Sequence, residues 1–407
     1  MEHVMSAFGL VVILGIAWAL STNRRLVNWR LVFFGTALQL LFAVVILRTA
    51  AGRRVFDVVG TGVTGFLDLA DSGSIFIFGE NFRDHFLAFK VLPTIIFFSS
   101  FITVLYYVGV MQWVVRAFAW VMMRVLRTSG AESLSSAANI FVGQTEAPLL
   151  IRPYVKTMTR SELMAVMTGG FATIAGGVLA AYVGLLSQDF PDIAGHLLAA
   201  SVMSAPAALV MAKLMVPETE ESLTAGTVRV KAERPWANVI DAAAEGAITG
   251  LHLALNVAAM LLAFLGLLAV INAALGWLGG FVSYPDLTLE AILGQLLRPL
   301  AWVMGVPWAE ADEVGALIGI KTGANEFVAF IELSKMIDAG LLSERSRVIA
   351  TYALCGFSNF SSIAIQIGGI GALAPERKAE LAQIGPRAMV AGSLACFQTA
   401  AIAGMLV

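Results

Sequence analysis

Two short polar stretches set inside apolar sequence hold the residues that could do chemistry. In Gly143-Gln144-Thr145-Glu146-Ala147-Pro148 an amide, a hydroxyl and a carboxylate stand side by side, followed by a Pro with no N–H for a helix to use. About 180 residues later, Gly323-Ala324-Asn325-Glu326-Phe327 again joins an amide to a carboxylate. Ionisable groups at membrane depth are expensive and persist where they line a cavity, and broken backbone is tolerated on the same condition. The two stretches therefore read as facing tips of one binding site. Gln144, Thr145, Glu146, Asn325, Glu326, Asn359, Ser361 and Ser362 would line it with amides, hydroxyls and two carboxylates. Lys321 is the one nearby cation and no Arg joins it, so sugar phosphates and nucleotides fit poorly. A neutral solute rich in OH and NH groups fits, and Phe357 and Phe360 could give a flat ring an aromatic face.

Plainer roles compete. A lone Asn or Ser in a membrane helix is more often interhelical glue than a ligand contact, and a lone Phe is more often packing. Glu146 and Glu326 weigh the other way, because intramembrane carboxylates at matching places in two halves point to a transporter's site. Asn139 precedes Gln144 by five residues; with Thr173 and unwound backbone it could offer oxygens to a hard cation, or it could equally cap a helix.

The elements that must position these groups are spans of a membrane. Of 407 residues, 58% are hydrophobic and 13% charged, against about 25% charged in a soluble domain. The chain reads as an all-α polytopic membrane protein. A net charge of −2 gives no footprint for nucleic acid. Cys355 and Cys396 imply neither a disulfide framework nor a metal site, and the histidines are scattered, so no enzyme motif appears. Basic residues follow rather than precede the first apolar run, so the first helix is expected to be retained.

Residues 4–20 and 31–47 read as spans, and 55–78, broken by Asp57, Asp68 and Asp71, as an amphipathic interfacial helix. Within it, Gly60-Thr61-Gly62-Val63-Thr64-Gly65 matches the dinucleotide fingerprint in form but lacks the surrounding βαβ unit. A long helix over 86–115 is followed by 133–158, whose halves of about 12 residues reach about 18 Å, too short to cross alone. That makes a re-entrant hairpin. Spans at 163–186, with a glycine-rich centre, and 193–216 follow. Residues 217–235 read as a solvated loop, 248–275 as a long span, and 314–336 as a second hairpin after an acidic stretch. Spans over 348–370 and 389–407 end the chain. Hairpin, interrupted helix and final helix thus occur twice. The expected units are 1–85 and 86–131 as scaffold, 132–216 as first repeat, 217–245 as cytoplasmic loop, 246–313 as scaffold and connection, and 314–407 as second repeat.

Lys and Arg set the orientation. Loops with Arg24, Arg25, Arg30, Arg116, Arg124, Arg127, Arg152, Lys156, Arg160, Arg229, Lys231, Arg234, Arg377 and Lys378 should be cytoplasmic. The N-terminus is then periplasmic, and the two hairpins enter from opposite faces as an inverted repeat. Arg345 and Arg347 fall on the outer side and disagree.

At these residues the sequence resembles the concentrative nucleoside transporter family. The matching motifs are the ten residues from Asn139 to Pro148, Gly319-Ile320-Lys321 with Asn325-Glu326-Phe327-Val328-Ala329, and the eleven from Tyr352 to Ser362. The resemblance implies eight transmembrane helices plus two re-entrant hairpins, assembled as a homotrimer with a pocket in each protomer. It implies that Gln144, Thr145 and Glu146 address the nucleobase, that Glu326, Asn359 and Ser362 hold the ribose, and that Phe357 is a pocket aromatic. It also implies a sodium ion held by Asn139, the carbonyls of Val142 and Ile174, and a hydroxyl supplied by Thr173, where other members carry Ser. The expected activity is sodium-coupled import of nucleosides such as uridine across a bacterial inner membrane. Alternatives are a proton-coupled symporter or, from another class, a cation channel, which would need several weak sites along a pore.

Overall fold

The computed structural model describes residues 2–225, 236–281 and 287–407. Every regular element among them is helical, as the composition predicts. Helices α1 (Glu2–Ala19) and α2 (Trp29–Arg48) are apolar, and Asn28 caps α2 by accepting from the Leu31 N–H at 3.2 Å. The stretch read as one interfacial helix is two, α3 (Ala50–Asp68) and α4 (Asp71–Phe78). Two of its acids do not simply face water. Asp68 and Asp71 both pair with the buried Lys90, and Asp71 also takes Arg83 at 2.8 Å. The side chain of Asp57 lies outside the described residues. Gly60 to Gly65 sits inside α3, so its spacing marks no phosphate loop.

The stretch read as one helix over 86–115 is also broken. Helix α5 (Leu92–Val108) stops at Gly109, whose φ of +98° suits glycine, and α6 (Val110–Leu126) buries Met111, Val115, Ala119, Met122 and Leu126 along one face. Helix α7 (Gly130–Asn139), a 3₁₀ turn at Ala147–Ile151 and α8 (Arg152–Val155) make the first hairpin. The interrupted helix is α9 (Arg160–Ala172) and α10 (Gly176–Leu186), and α11 (Ile193–Met215) follows. Capping boxes open α7 (Ser129 with Glu132) and α9 (Thr159 with Glu162). Lys213, from the end of α11, meets Glu132 at 2.7 Å and Glu218 at 3.1 Å, while Ser222 and Thr224 donate to Glu162. The loop expected to be solvated is therefore strapped to both helix starts through residue 224. Arg229, Lys231 and Arg234 lie outside the described residues.

Helix α12 (Val239–Phe281) has 43 residues, which at 1.5 Å each is about 65 Å, twice a hydrocarbon core of about 30 Å. Gly246 and Gly250 let it close on α5: a Cβ on either would stand within 2.8 Å of α5 backbone atoms. An amphipathic helix, α13 (Leu289–Val303), fills much of the acidic connection; its Arg298 and Pro299 hid it from a hydropathy reading. Asp286 lies outside the described residues. Helices α14 (Ala311–Gly323) and α15 (Glu326–Asp338) are the second hairpin, α16 (Glu344–Leu354) and α17 (Phe360–Leu373) the second interrupted helix. Helix α18 (Lys378–Gly404) begins well before residue 389; its first turns are polar, so a hydropathy reading starts the span late.

Six helices among the described residues are long and apolar enough to cross a membrane, α9 and α10 counted together, with α17 a shorter apolar one. Helices α9 to α11 are the interior and α12 is mostly exposed. Arg345, which disagrees with the orientation expected from the other basic residues, has a structural task. Its guanidinium donates to Gly305 O at 2.9 Å, to Gly404 O and Val407 O at 2.6 Å, and to Ser6 Oγ at 2.9 Å. It satisfies carbonyls at the end of α18 that no helix turn can reach.

Candidate functional site

The start of α17 is where the two hairpin tips meet. Asn359 caps that helix: its Oδ1 accepts from the Ser362 N–H at 2.9 Å and the Ser361 hydroxyl at 2.7 Å. Its Nδ2 is left to donate to Glu326 Oε2 at 2.8 Å. Glu326 is the first residue of α15, directly after Asn325, which caps α15 by accepting from the Val328 N–H at 2.9 Å. The other Glu326 oxygen accepts from the Tyr182 hydroxyl of α10 at 3.2 Å. On the far side of the same turn, Gln144 Nε2 from the first hairpin donates to Ser362 Oγ at 3.3 Å. Gln366, one turn further along α17, donates to Gln144 Oε1 at 3.0 Å and to Met167 O at 3.2 Å.

The breaks in the two interrupted helices hold this arrangement. The Phe357 N–H donates to Thr173 O at 3.3 Å, joining one break to the other, and the Gly176 N–H donates to Phe141 O at 3.2 Å, joining the first break to the first tip. Freed backbone groups thereby find partners inside the protein. Gln144, Glu326, Asn359 and Ser362 are 8%, 6%, 1% and 2% exposed. Thr145 packs its methyl against α17 at Gly369, and its hydroxyl donates to Glu146 Oε1 at 3.0 Å. Glu146 itself is exposed. Phe357 is half-buried, whereas Phe360 is exposed on the outside of α17 and is not a second aromatic face. Lys321 is buried and donates to Ala353 O at 2.8 Å, capping the last turn of α16 rather than offering a free cation to an anion.

Next to the first tip is a set of unclaimed oxygens. Asn139 is the last residue of α7, is 1% exposed, and neither its Oδ1 nor its Nδ2 has a hydrogen-bond partner among the described residues. It is not a cap. Its side chain lies against Gly169 of α9, as does Ser136, whose hydroxyl is also unpartnered. The Thr173 hydroxyl donates to Gly169 O at 2.8 Å and keeps its own lone pairs. No hydrogen bond reaches Val142 O or Ile174 O among the described residues. A buried amide and free carbonyls left this way cost free energy unless something else binds them, and hard cations prefer such oxygens. Among the described residues no group of His, Cys, Asp and Glu could hold a metal ion, so any cation here would be one that binds neutral oxygens.

Gln366 and Tyr182 escaped the sequence reading. Gln366 could have been found, since it lies four residues after Ser362 and so on the same helix face. Tyr182 gave no signal, being one aromatic in an apolar span.

Comparison with known proteins gives the family and the fold. Family models described as Na+ dependent nucleoside transporter N-terminus, nucleoside recognition, and Na+ dependent nucleoside transporter C-terminus match residues 8–81, 88–189 and 196–404. Solute carrier family 28 member 3 of Eptatretus stoutii is 47% identical over all of this chain, which covers 61% of that protein. The chain spans 59–61% of the length of four such relatives. An uncharacterized transporter of Haemophilus influenzae is 45% identical, with 100% of this chain and 98% of that one aligned. Among solved structures, CNTnw in an inward-facing substrate-bound state has 44% identity and a TM-score of 0.92, with 100% of this chain and 98% of that one covered. A variant of CNTnw in an outward-facing state, at 43% identity and the same coverage, has a TM-score of 0.93.

Proposed function

Because this chain belongs to the Na+-dependent, concentrative nucleoside transporter family, a family of transporters rather than enzymes, we propose that it imports nucleosides coupled to sodium by alternating access. One observation carries the reading: a single helix start, Asn359 to Ser362, hydrogen-bonds the second hairpin tip through Glu326 and the first through Gln144. A ligand lodged there would touch both halves of the molecule. In this reading Gln144, Thr145 and Glu146 address the base, Glu326, Asn359 and Ser362 hold the ribose, and Phe357 lies along the ring. Each Glu326 oxygen accepts one protein donor and keeps a lone pair for a ribose hydroxyl.

Sodium is the second substrate. The unpartnered Asn139 amide, the carbonyls of Val142 and Ile174 and the Thr173 hydroxyl are the oxygens we assign to it. The solved relatives described as inward- and outward-facing support alternation between two faces. The doubled order of hairpin, interrupted helix and final helix supports an inverted repeat with re-entrant hairpins moving against a scaffold that includes α5 and α12. The exposed apolar length of α12 is consistent with a homotrimer, and the Lys and Arg pattern with a bacterial inner membrane and a periplasmic N-terminus.

The test is uptake of radiolabelled uridine into proteoliposomes, with Na+ and H+ gradients imposed separately. Accumulation driven by Na+ alone is the expected result. Accumulation that follows H+ and ignores Na+ would make the chain a proton symporter, and equilibration with no gradient dependence would contradict coupled transport.

A further inference from the structure

A groove of about 470 Å³ lies away from the nucleoside site, between the end of α1, the start of α9, the end of α11 and the first third of α18. Two arginines line it, Arg160 and Arg387, with Gln383 beside them and no carboxylate. Its remaining wall is apolar, including Leu20, Met215 and Ile384. The neighbouring acids are already engaged: Glu162 by Thr159, Ser222 and Thr224, Glu218 by Lys213, and Glu380 by Arg377. The nearby carbonyls are engaged too, Met215 O by Thr22 and Val216 O by the Ser161 hydroxyl. The side chains of Arg160 and Arg387 make no hydrogen bond or ion pair among the described residues. Two planar forks of donors thus face an open space whose other surface is hydrocarbon-like.

From this juxtaposition we infer that the groove binds the headgroup of an anionic phospholipid, its phosphodiester on Arg160 and Arg387 and its acyl chains along the apolar wall. A phosphate oxygen pair matches a guanidinium fork, and basic pockets between membrane helices at the cytoplasmic side suit such headgroups. The two Thr22 hydrogen bonds to Met215 O hold the end of α1 against the end of α11, which fixes that wall of the groove. A free phosphate ester offers the same anion without chains for the apolar wall, which is why the lipid is the occupant assigned.

Native mass spectrometry of the detergent-purified chain reads this directly and separately from transport. Phosphatidylglycerol should bind and phosphatidylcholine should not. The double variant Arg160→Gln/Arg387→Gln should weaken phosphatidylglycerol binding by about thirtyfold, from two lost charges near an anionic headgroup. Arg160→Lys/Arg387→Lys should keep most of it, which separates lost charge from lost folding. Arg116→Gln/Arg124→Gln removes as much charge outside the groove and should leave binding unchanged. Undiminished binding in the Gln double variant overturns the site, as does an equal loss in the Arg116/Arg124 control. Glycerol 3-phosphate binding as tightly as the lipid would show a soluble-anion site instead.

Discussion

Glu326 is the side chain on which both helix systems converge, with Tyr182 on one oxygen and Asn359 on the other. If those oxygens also accept from ribose, Glu326→Gln should weaken uridine affinity roughly ten- to hundredfold, since a charged hydrogen-bond partner is worth about 1.5–3 kcal/mol. The amide would also set an NH2 against one of two existing donors. Uptake and binding by the folded variant check this, and wild-type values would remove Glu326 from the ribose side. Gln144, Glu326, Asn359 and Ser362 were legible in sequence because polar groups in apolar helices stand out. What pairs with what was not. The link from Asn359 to Glu326 depends on two helix starts meeting, and the exposure of Glu146 depends on how the first tip turns; neither is a property of local spacing.

Interruptions in helices do the positioning at the next scale, and a glycine inside α9 lets the first tip approach them closely. A Cβ on Gly170 would stand 2.9 Å from Gln144 Cβ and 2.8 Å from Gln366 Nε2. Gly170→Ala should therefore push Gln144 of the first tip and Gln366 of α17 away from α9, at an overpacking cost of about 1–3 kcal/mol, seen as a lower melting temperature in detergent and a raised KM for uridine. An unchanged KM would mean the tip can move without disturbing the site. At the base of the second hairpin, Glu310 accepts from the Ser343 N–H at 3.0 Å and the Ser343 hydroxyl at 2.8 Å, tying the start of α14 to the start of α16. Partial burial works to raise its carboxyl, but hydrogen bonds from Ser346 and Ser343 prevail and hold it below the usual carboxylate value. A lowered folded value means its stabilising effect is present above the unfolded pKa of about 4.3 and is lost as pH falls through the folded value. Wild type should lose melting temperature faster than Glu310→Gln below about pH 4.3; parallel curves would contradict the link. Hydropathy located the hairpins and interrupted helices within a few residues. It merged α5 with α6 and missed α13, because amphipathic helices carry too many polar residues to register. The Ser129–Glu132 and Thr159–Glu162 boxes were readable as helix starts, a signal that hydropathy alone passes over.

At the scale of the whole molecule, the site assigned to sodium and the site assigned to nucleoside share one hairpin, Asn139 on its rising helix and Gln144 at its tip. Binding at either should favour the other by the same factor. Asn139→Ala should raise the Na+ concentration for half-maximal uptake and, at fixed Na+, weaken uridine; titrating both ligands checks it, and a Na+ response equal to wild type would remove Asn139 from the cation site. The central claim is that the turn from Asn359 to Ser362 borders one cavity opened to each side in turn. Accessibility of Ser362→Cys tests that most directly, in a background with Cys355→Ala and Cys396→Ala, both natural cysteines being buried. With an impermeant thiol reagent, labelling should come from one side or the other according to the Na+ condition, and saturating uridine should block it. Labelling from both sides at once, or labelling that uridine leaves unchanged, would contradict the account.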